Sequence, residues 1–164
     1  MRCFIACFLK PTSAERLVAV LPALAGVRRV PASNLHVTLK FLGNVANGQR
    51  QAVLDLADRL EGKETRARLL ELTGFPKTER ARAVVARLAV DPVLMAWNEQ
   101  LSDSWQTEEW NRKFDPHVTL ARSRRGVQLS KLEPLPGIEI ELCPPAAYLS
   151  RTLPGGALYE PLAG

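Results

Sequence analysis

The sequence predicts two similar strand–helix–strand halves that share one cleft. The tetrapeptide His-Val-Thr-Leu stands at residues 36–39 and again at 117–120, an offset of 81, and its histidines are the only two in the chain. An apolar, strand-like run and a helix-opening proline precede each copy at the same offset. We therefore expect one domain over residues 1–164, made of a first half of about 1–80 and a second of about 81–164.

Composition and charge are those of a globular protein with an anionic partner. The chain is 46% hydrophobic and 24% charged, and its net charge of +5 favours nucleic acid or a phosphorylated small molecule. Cys3 and Cys7 are too far apart on one strand to form a disulfide, which suggests free thiols in a reducing compartment. The N-terminal apolar run is too short for a signal peptide or a membrane span. We expect a cytoplasmic monomer without membrane contact.

The first half reads as alternating strands and helices. Residues 3–9 are apolar on both alternating faces, as in a central strand covered on both sides. Thr12-Ser13-Ala14-Glu15 has the spacing of a capping box and predicts the start of a helix. A strand over 35–42, a helix over 47–60 and a strand over 66–73 complete this half.

The second half repeats this plan and adds strands at its end. A strand over 83–90 leads to Asp91-Pro92, which predicts a helix cap and a first-turn proline. The helix has an apolar stripe that we interpret as core, formed by Leu94, Trp97, Leu101 and Trp105. The second motif strand covers 117–122, and strands follow at 138–143, 147–153 and 157–162.

The two motifs can supply acid–base chemistry at phosphorus. On an extended strand, the His and Thr of one motif project from the same face. An approximate twofold axis between the halves would place His36, Thr38, His117 and Thr119 in one cleft. One neutral and one protonated imidazole can act as general base and general acid. This set suits in-line displacement at phosphorus, with the hydroxyls donating to the non-bridging oxygens.

Other interpretations of the histidines are structural roles for both, or zinc ligation by both. Neither an acidic cluster nor further zinc ligands stand near the motifs, so we expect no metal and no other cofactor. A phosphodiester monoanion also needs less charge neutralisation than a triphosphate.

Strict alternation assigns Phe41 and Arg122 to the face opposite the motif histidines. Phe41 is therefore interpreted as core, the alternative being stacking on a nucleobase if the strand twists open near Gly43. Arg122 can contact a phosphate if its strand ends or bends there, and is otherwise a solvated strand end. The basic run Arg124-Arg125 with Lys131 is either a solvated face or an RNA contact.

The flanks of the two motifs resemble a known family. Residues 35–43 read LHVTLKFLG, and residues 114–122 read FDPHVTLAR. They resemble the two signature strands of the bacterial and archaeal RNA 2′,3′-cyclic phosphodiesterases, also called 2′-5′ RNA ligases. These enzymes belong to the 2H phosphoesterase superfamily, which is defined by two H-x-T/S-x motifs. Residues 2–6 and 149–159 resemble the ends of the same family.

The resemblance implies a bilobal α+β fold with two antiparallel sheets around a central cleft. It also implies a metal-independent enzyme that opens a terminal 2′,3′-cyclic phosphate of RNA to a 2′-phosphomonoester, with reversible 2′-5′ joining of RNA ends. By this analogy His36 is the proton donor, His117 is the proton acceptor, and the phosphate is held by Thr38, Thr119 and Arg122. The alternatives are a phosphodiesterase for a small cyclic nucleotide, such as ADP-ribose cyclic phosphate, and an RNA-end-binding protein without turnover.

Overall fold

The computed structural model describes residues 1–107, 113–129, 135 and 137–163, so Trp110 and Lys131 lie outside the described residues. The described chain forms three α-helices and nine strands. In chain order they are β1 (Arg2–Phe8), α1 (Pro11–Val20), β2 (Arg28–Arg29), β3 (His36–Asn44), α2 (Arg50–Asp58), β4 (Thr65–Phe75), β5 (Ala81–Leu88), α3 (Pro92–Ser104), β6 (His117–Val127), β7 (Glu139–Leu142), β8 (Ala146–Leu153) and β9 (Gly156–Pro161). Each strand and helix expected above is present, whereas β2 was not predicted.

The strands form one antiparallel run in the order β7-β4-β5-β6-β3-β1-β8-β9, with β2 paired to β6. The two motif strands, β3 and β6, lie at its centre and meet at a single register pair, Val37 with Val118. The predicted α+β class, with duplicated halves and antiparallel sheets around a cleft, is confirmed. The two sheets are joined through that one pair.

The duplicated unit forms the middle of each half of the sheet, and other strands flank it. The units β1-α1-β3 and β5-α3-β6 correspond at the offset of 81 residues. Beside β1 lie β8 and β9, which come from the end of the chain. Beside β5 lies β4, which precedes it, and then β7. Each half of the sheet therefore takes strands from both parts of the chain.

The three helices share one apolar core with one face of the sheet. Leu17 of α1, Val53 of α2 and Leu94 of α3 are fully buried in the same cluster as Ile5 and Val37 of the central strands. Burial of a side chain of this size stabilises the fold by about 1.5–3 kcal/mol. The opposite face of the central strands is left to form the cleft.

The two duplicated helices begin differently. The α3 cap forms as expected, because Asp91 Oδ1 accepts hydrogen bonds from the amides of Val93 (2.8 Å) and Leu94 (3.0 Å). Helix α1 begins at Pro11, one residue before the capping box, and lacks a side-chain cap, so that prediction is wrong. Ser13 is instead buried, and its hydroxyl accepts a hydrogen bond from the amide of Glu141 in β7 at 2.8 Å.

The cysteines are free, as the sequence predicted. Cys3 and Cys7 are buried and Cys143 is half-buried. Burial raises the pKa of the Cys7 thiol to about 12, so this thiol stays protonated and unreactive at neutral pH. Across the described ranges, the structure shows no helix with the length and apolarity needed to span a membrane.

Candidate active site

The four motif side chains gather around the pair that joins the two halves. In the antiparallel register set by Val37 and Val118, His36 lies opposite Thr119, and Thr38 lies opposite His117. Away from this pair β3 and β6 diverge, and the space between them is a cleft of about 1130 Å³ lined by all four side chains. This volume exceeds that of a typical small-ligand pocket, so the cleft has room for more than a phosphate group.

Equivalent backbone carbonyls hold the two imidazoles. His36 Nδ1 lies 2.7 Å from the carbonyl oxygen of Asn34, and His117 Nδ1 lies 2.8 Å from that of Asp115, again 81 residues apart. A carbonyl can only accept, so each Nδ1 carries the proton and donates it. No described residue hydrogen-bonds either Nε2. Each ring can therefore use Nε2 to accept a proton or, when charged, to donate one.

Different contacts anchor these two carbonyls. The Asn34 side chain donates to the Ala157 carbonyl of β9 at 3.1 Å. The Asp115 carboxylate accepts from Arg87 Nε at 3.3 Å, and Arg87 also forms an ion pair of 2.9 Å with Glu71. His36 is thus tied to β9, whereas His117 is tied through an ionic chain to β5 and β4. The identical motifs stand on non-identical supports.

Aromatic rings surround His36 more closely than His117. The His36 ring centroid lies 4.9 Å from that of Phe8, 5.0 Å from Tyr159 and 5.2 Å from Phe4. Burial, and to a smaller extent the charges of Arg122 and His117, lower the pKa of His36 to about 4, although the Asn34 carbonyl raises it. The free protein therefore holds His36 as the neutral imidazole at neutral pH.

This pKa predicts the titration of His36. We expect its imidazole ¹⁵N signals to titrate with a midpoint near pH 4, below the ordinary value of 6.5, because its charged form is poorly solvated. Nitrogen NMR suits the measurement, because the chain has only two histidines and a His117→Gln variant assigns both sets of signals. A midpoint near 6.5 would contradict the prediction.

A β-bulge at Leu39 reverses the alternation of side chains along β3. The pairing of β3 with β1 skips this residue, so the following side chains exchange faces. Phe41 lines the cleft, with its ring 6.2 Å from that of Phe4, and its interpretation as core is wrong. Lys40 is instead buried, and its Nζ donates to Ser102 Oγ of α3 at 3.5 Å.

The same bulge occurs in β6 at Leu120, 81 residues after Leu39. It turns Arg122 into the cleft, where Arg122 occupies the position equivalent to Phe41. The bend that a phosphate contact by Arg122 required is therefore present. Ala121 is buried, so the expectation that it shares the face of His117 is wrong. The neighbouring Arg124 and Arg125 are exposed.

Several cleft side chains were not identified from the sequence. They are Arg2, Phe75, Trp105 and Tyr159. The helix stripe suggested that Trp105 is core, but α3 ends at Ser104 and the half-buried indole borders the cleft. The ring of Phe75 meets that of His117 edge-on at 4.9 Å. This contact depends on the pairing of β4 with β5, for which the local sequence carries no signal.

The charge of the cleft suits an anion. Its charged lining side chains are Arg2 and Arg122, and the lining residues that the structure describes include no Asp or Glu. The described ranges also contain no group of three or more His, Cys, Asp or Glu side chains placed to bind a metal. Two arginines, two hydroxyls and two imidazoles form a set of donors that fits phosphate oxygens.

Known proteins share this sequence and fold. Residues 9–85 match the family model described as LigT like phosphoesterase. A Thermus thermophilus protein named RNA 2′,3′-cyclic phosphodiesterase is 32% identical over 137 residues, covering 76% of this chain and 69% of that protein. A crystal structure from Thermus thermophilus superposes with a TM-score of 0.82 at 29% identity, over 99% of this chain and 96% of that chain. E. coli LigT complexed with 3′-AMP gives 0.77 at 26% identity, over 99% and 95%. The chain belongs to the LigT-like phosphoesterase family of the 2H superfamily.

Proposed function

We propose that the protein hydrolyses the terminal 2′,3′-cyclic phosphate of RNA to a 2′-phosphomonoester without a metal ion. The observation that carries this proposal is the pair of imidazoles, each with its Nε2 available, on the two central strands of one cationic cleft. The name of the 32% identical relative supports the substrate. The titles of the E. coli LigT structures, with 3′-AMP, ATP and NADP⁺, support nucleotide binding.

The reaction follows from the positions of these groups. His117 Nε2 takes a proton from water, and the water oxygen forms a bond to phosphorus. The bond from phosphorus to the 3′ oxygen breaks, and protonated His36 gives its Nε2 proton to that oxygen. Thr38, Thr119 and Arg122 donate hydrogen bonds to the non-bridging oxygens, where negative charge increases. The products are a 2′-phosphomonoester and a 3′ hydroxyl.

Reversible 2′-5′ joining uses the same groups. A 5′ hydroxyl of a second RNA end replaces water, loses its proton to His117 and attacks the cyclic phosphate. The 3′ oxygen again leaves with the proton of His36, and a 2′-5′ phosphodiester results.

The pKa of His36 constrains these roles. A proton donor must be charged before the reaction, but the free protein holds His36 neutral. A bound phosphodiester offsets the charge of Arg122, which is one of the causes of the low pKa, and its own anion stabilises the imidazolium. The low pKa by itself favours the reverse roles, with His36 as base. The roles are therefore assigned by the leaving-group experiment described in the Discussion.

The product identifies the reaction. We expect RNA ending in a 2′,3′-cyclic phosphate to yield the 2′-phosphate isomer, separable from the 3′-phosphate by chromatography, at the same rate with and without EDTA. A 3′-phosphate product would contradict the direction of attack. Loss of activity in EDTA that a divalent metal restores would contradict metal independence.

The alternative functions make different predictions. A phosphodiesterase for a small cyclic nucleotide, such as ADP-ribose cyclic phosphate, would cleave that compound faster than an oligonucleotide end. An RNA-end-binding protein would retain cyclic-phosphate ends unchanged over long incubation. The free thiols support a reducing compartment, and we place the protein in the cytoplasm.

A further inference from the structure

We propose that Arg28 forms a second phosphate site, which binds the RNA phosphodiester next to the cyclic end. The substrate is then an RNA strand that leaves the cleft over β2 and β6. This inference rests on the proposed function, because it assumes that the cyclic phosphate lies between the motif histidines.

Arg28 and Arg122 are a directly opposed pair of like charges. Arg28 of β2 pairs with Arg122 of β6 in antiparallel register. Paired residues of neighbouring strands project from the same face, and like charges in that arrangement destabilise the sheet. Both side chains are exposed, and among the residues that the structure describes neither guanidinium has an ion pair or a hydrogen bond to a side chain or carbonyl. A bound anion would offset this repulsion.

Strand β2 is held firmly in place by its other contacts. The amide of Val30 donates to the Leu120 carbonyl at 2.8 Å, next to the bulge of β6. The Arg29 guanidinium donates to three carbonyl oxygens at the end of α1, those of Val18, Leu21 and Pro22. Arg29 thus has a structural role, and it fixes the backbone from which Arg28 projects. Binding by Arg28 therefore costs side-chain entropy but little backbone entropy.

Arg28 lies just outside the cleft. Arg122 lines the cleft, whereas Arg28 does not. Arg28 Nη1 lies 3.5 Å from where a Cβ on Gly156 would stand, at the turn between β8 and β9. The carboxylate of that hairpin, Glu160, is already paired with Arg151 at 3.6 Å. A strand whose terminal phosphate contacts Arg122 would bring its next phosphodiester to Arg28.

The test compares two substrates with the same reactive end. One is a mononucleoside 2′,3′-cyclic phosphate, and the other is a single-stranded oligoribonucleotide ending in that nucleotide. For Arg28→Gln we expect kcat/KM on the oligonucleotide to fall by about three- to ten-fold at low salt. The slope of log kcat/KM against log salt should decrease by about 0.7, the value for one lost contact to single-stranded nucleic acid. The mononucleotide should be unaffected.

Arg16→Gln is the matched control, because Arg16 is an exposed arginine of α1 and its loss removes the same charge. It should change neither the rate on the oligonucleotide nor the salt slope. An unchanged slope in Arg28→Gln would overturn the proposal. So would equal losses on both substrates, which would mean that Arg28 acts on the cleft itself.

A binding measurement separates this proposal from the proposed function. If the wild type cleaves neither substrate, the proposed function fails. Fluorescence anisotropy with the same oligonucleotide carrying a 3′-phosphate then decides the status of Arg28. Weaker binding by Arg28→Gln, with the same loss of about 0.7 in salt slope, would support the second phosphate site. Equal binding by the variant and the wild type would overturn it.

Discussion

Replacement of either motif histidine by alanine is expected to lower kcat on a 2′,3′-cyclic phosphate by about 10²–10⁴-fold. Each imidazole makes one of the two proton transfers, and a positioned acid or base contributes a factor of that size. The His36→Ala/His117→Ala double variant should be little slower than either single variant, because the two rings act together. Steady-state kinetics on the mononucleotide measure this effect, with thermal unfolding as a control for folding. Full activity in either single variant would contradict the proposed mechanism.

The leaving group distinguishes the acid from the base. In a substrate with sulfur in place of the 3′ oxygen, the thiolate leaves without needing a proton. The variant that lacks the proton donor should therefore recover most of its rate on this substrate, and the variant that lacks the base should not. Recovery by His36→Ala supports the roles proposed here. Recovery by His117→Ala would establish the reverse roles, which the pKa of about 4 for His36 favours in the free protein.

Arg122→Ala should lower kcat by about 10²–10³-fold, because the variant loses a donor to the phosphate oxygens where charge increases. Arg122→Lys should restore only part of the rate, since an ammonium lacks the bidentate geometry of guanidinium. Arg124→Ala is the control, because Arg124 is an exposed arginine on the same strand, and it should leave hydrolysis of the mononucleotide unchanged. An effect of Arg122→Ala on KM alone would mean that Arg122 binds the substrate and the transition state equally.

The same variant has a readout that needs no substrate. The Arg122 charge lowers the pKa of His36 because it opposes a second positive charge nearby. Its removal favours the imidazolium, so the NMR midpoint of His36 should rise above about 4 in Arg122→Ala. An unchanged midpoint would show that Arg122 and His36 do not interact in solution.

Much of the architecture could be predicted from local sequence. The offset of 81 residues identified the duplicated unit, and the alternating and helical spacing of apolar residues located its strands and helices. The cap at Asp91 was recognisable because its bonds reach only two and three residues along the chain. The capping box of α1 was misread, since Pro11 allows the helix to begin earlier and Ser13 is used by β7.

The motifs themselves brought the candidate site into view. Histidine and threonine two residues apart share a strand face whatever the strand pairs with, so the association of His36 with Thr38, and of His117 with Thr119, followed from backbone geometry alone. The meeting of the two motifs at one cleft followed from the duplication.

The sequence by itself thus determined the duplicated α+β units and the two His-Thr pairs, because these depend on short-range periodicity. Only the tertiary structure decided which way Phe41 and Arg122 point, because a bulge is a property of two paired strands and not of one. It also placed Arg28 beside Arg122 and surrounded His36 with rings from β1 and β9. Residues distant in sequence made these contacts, and through them two identical motifs acquired different environments.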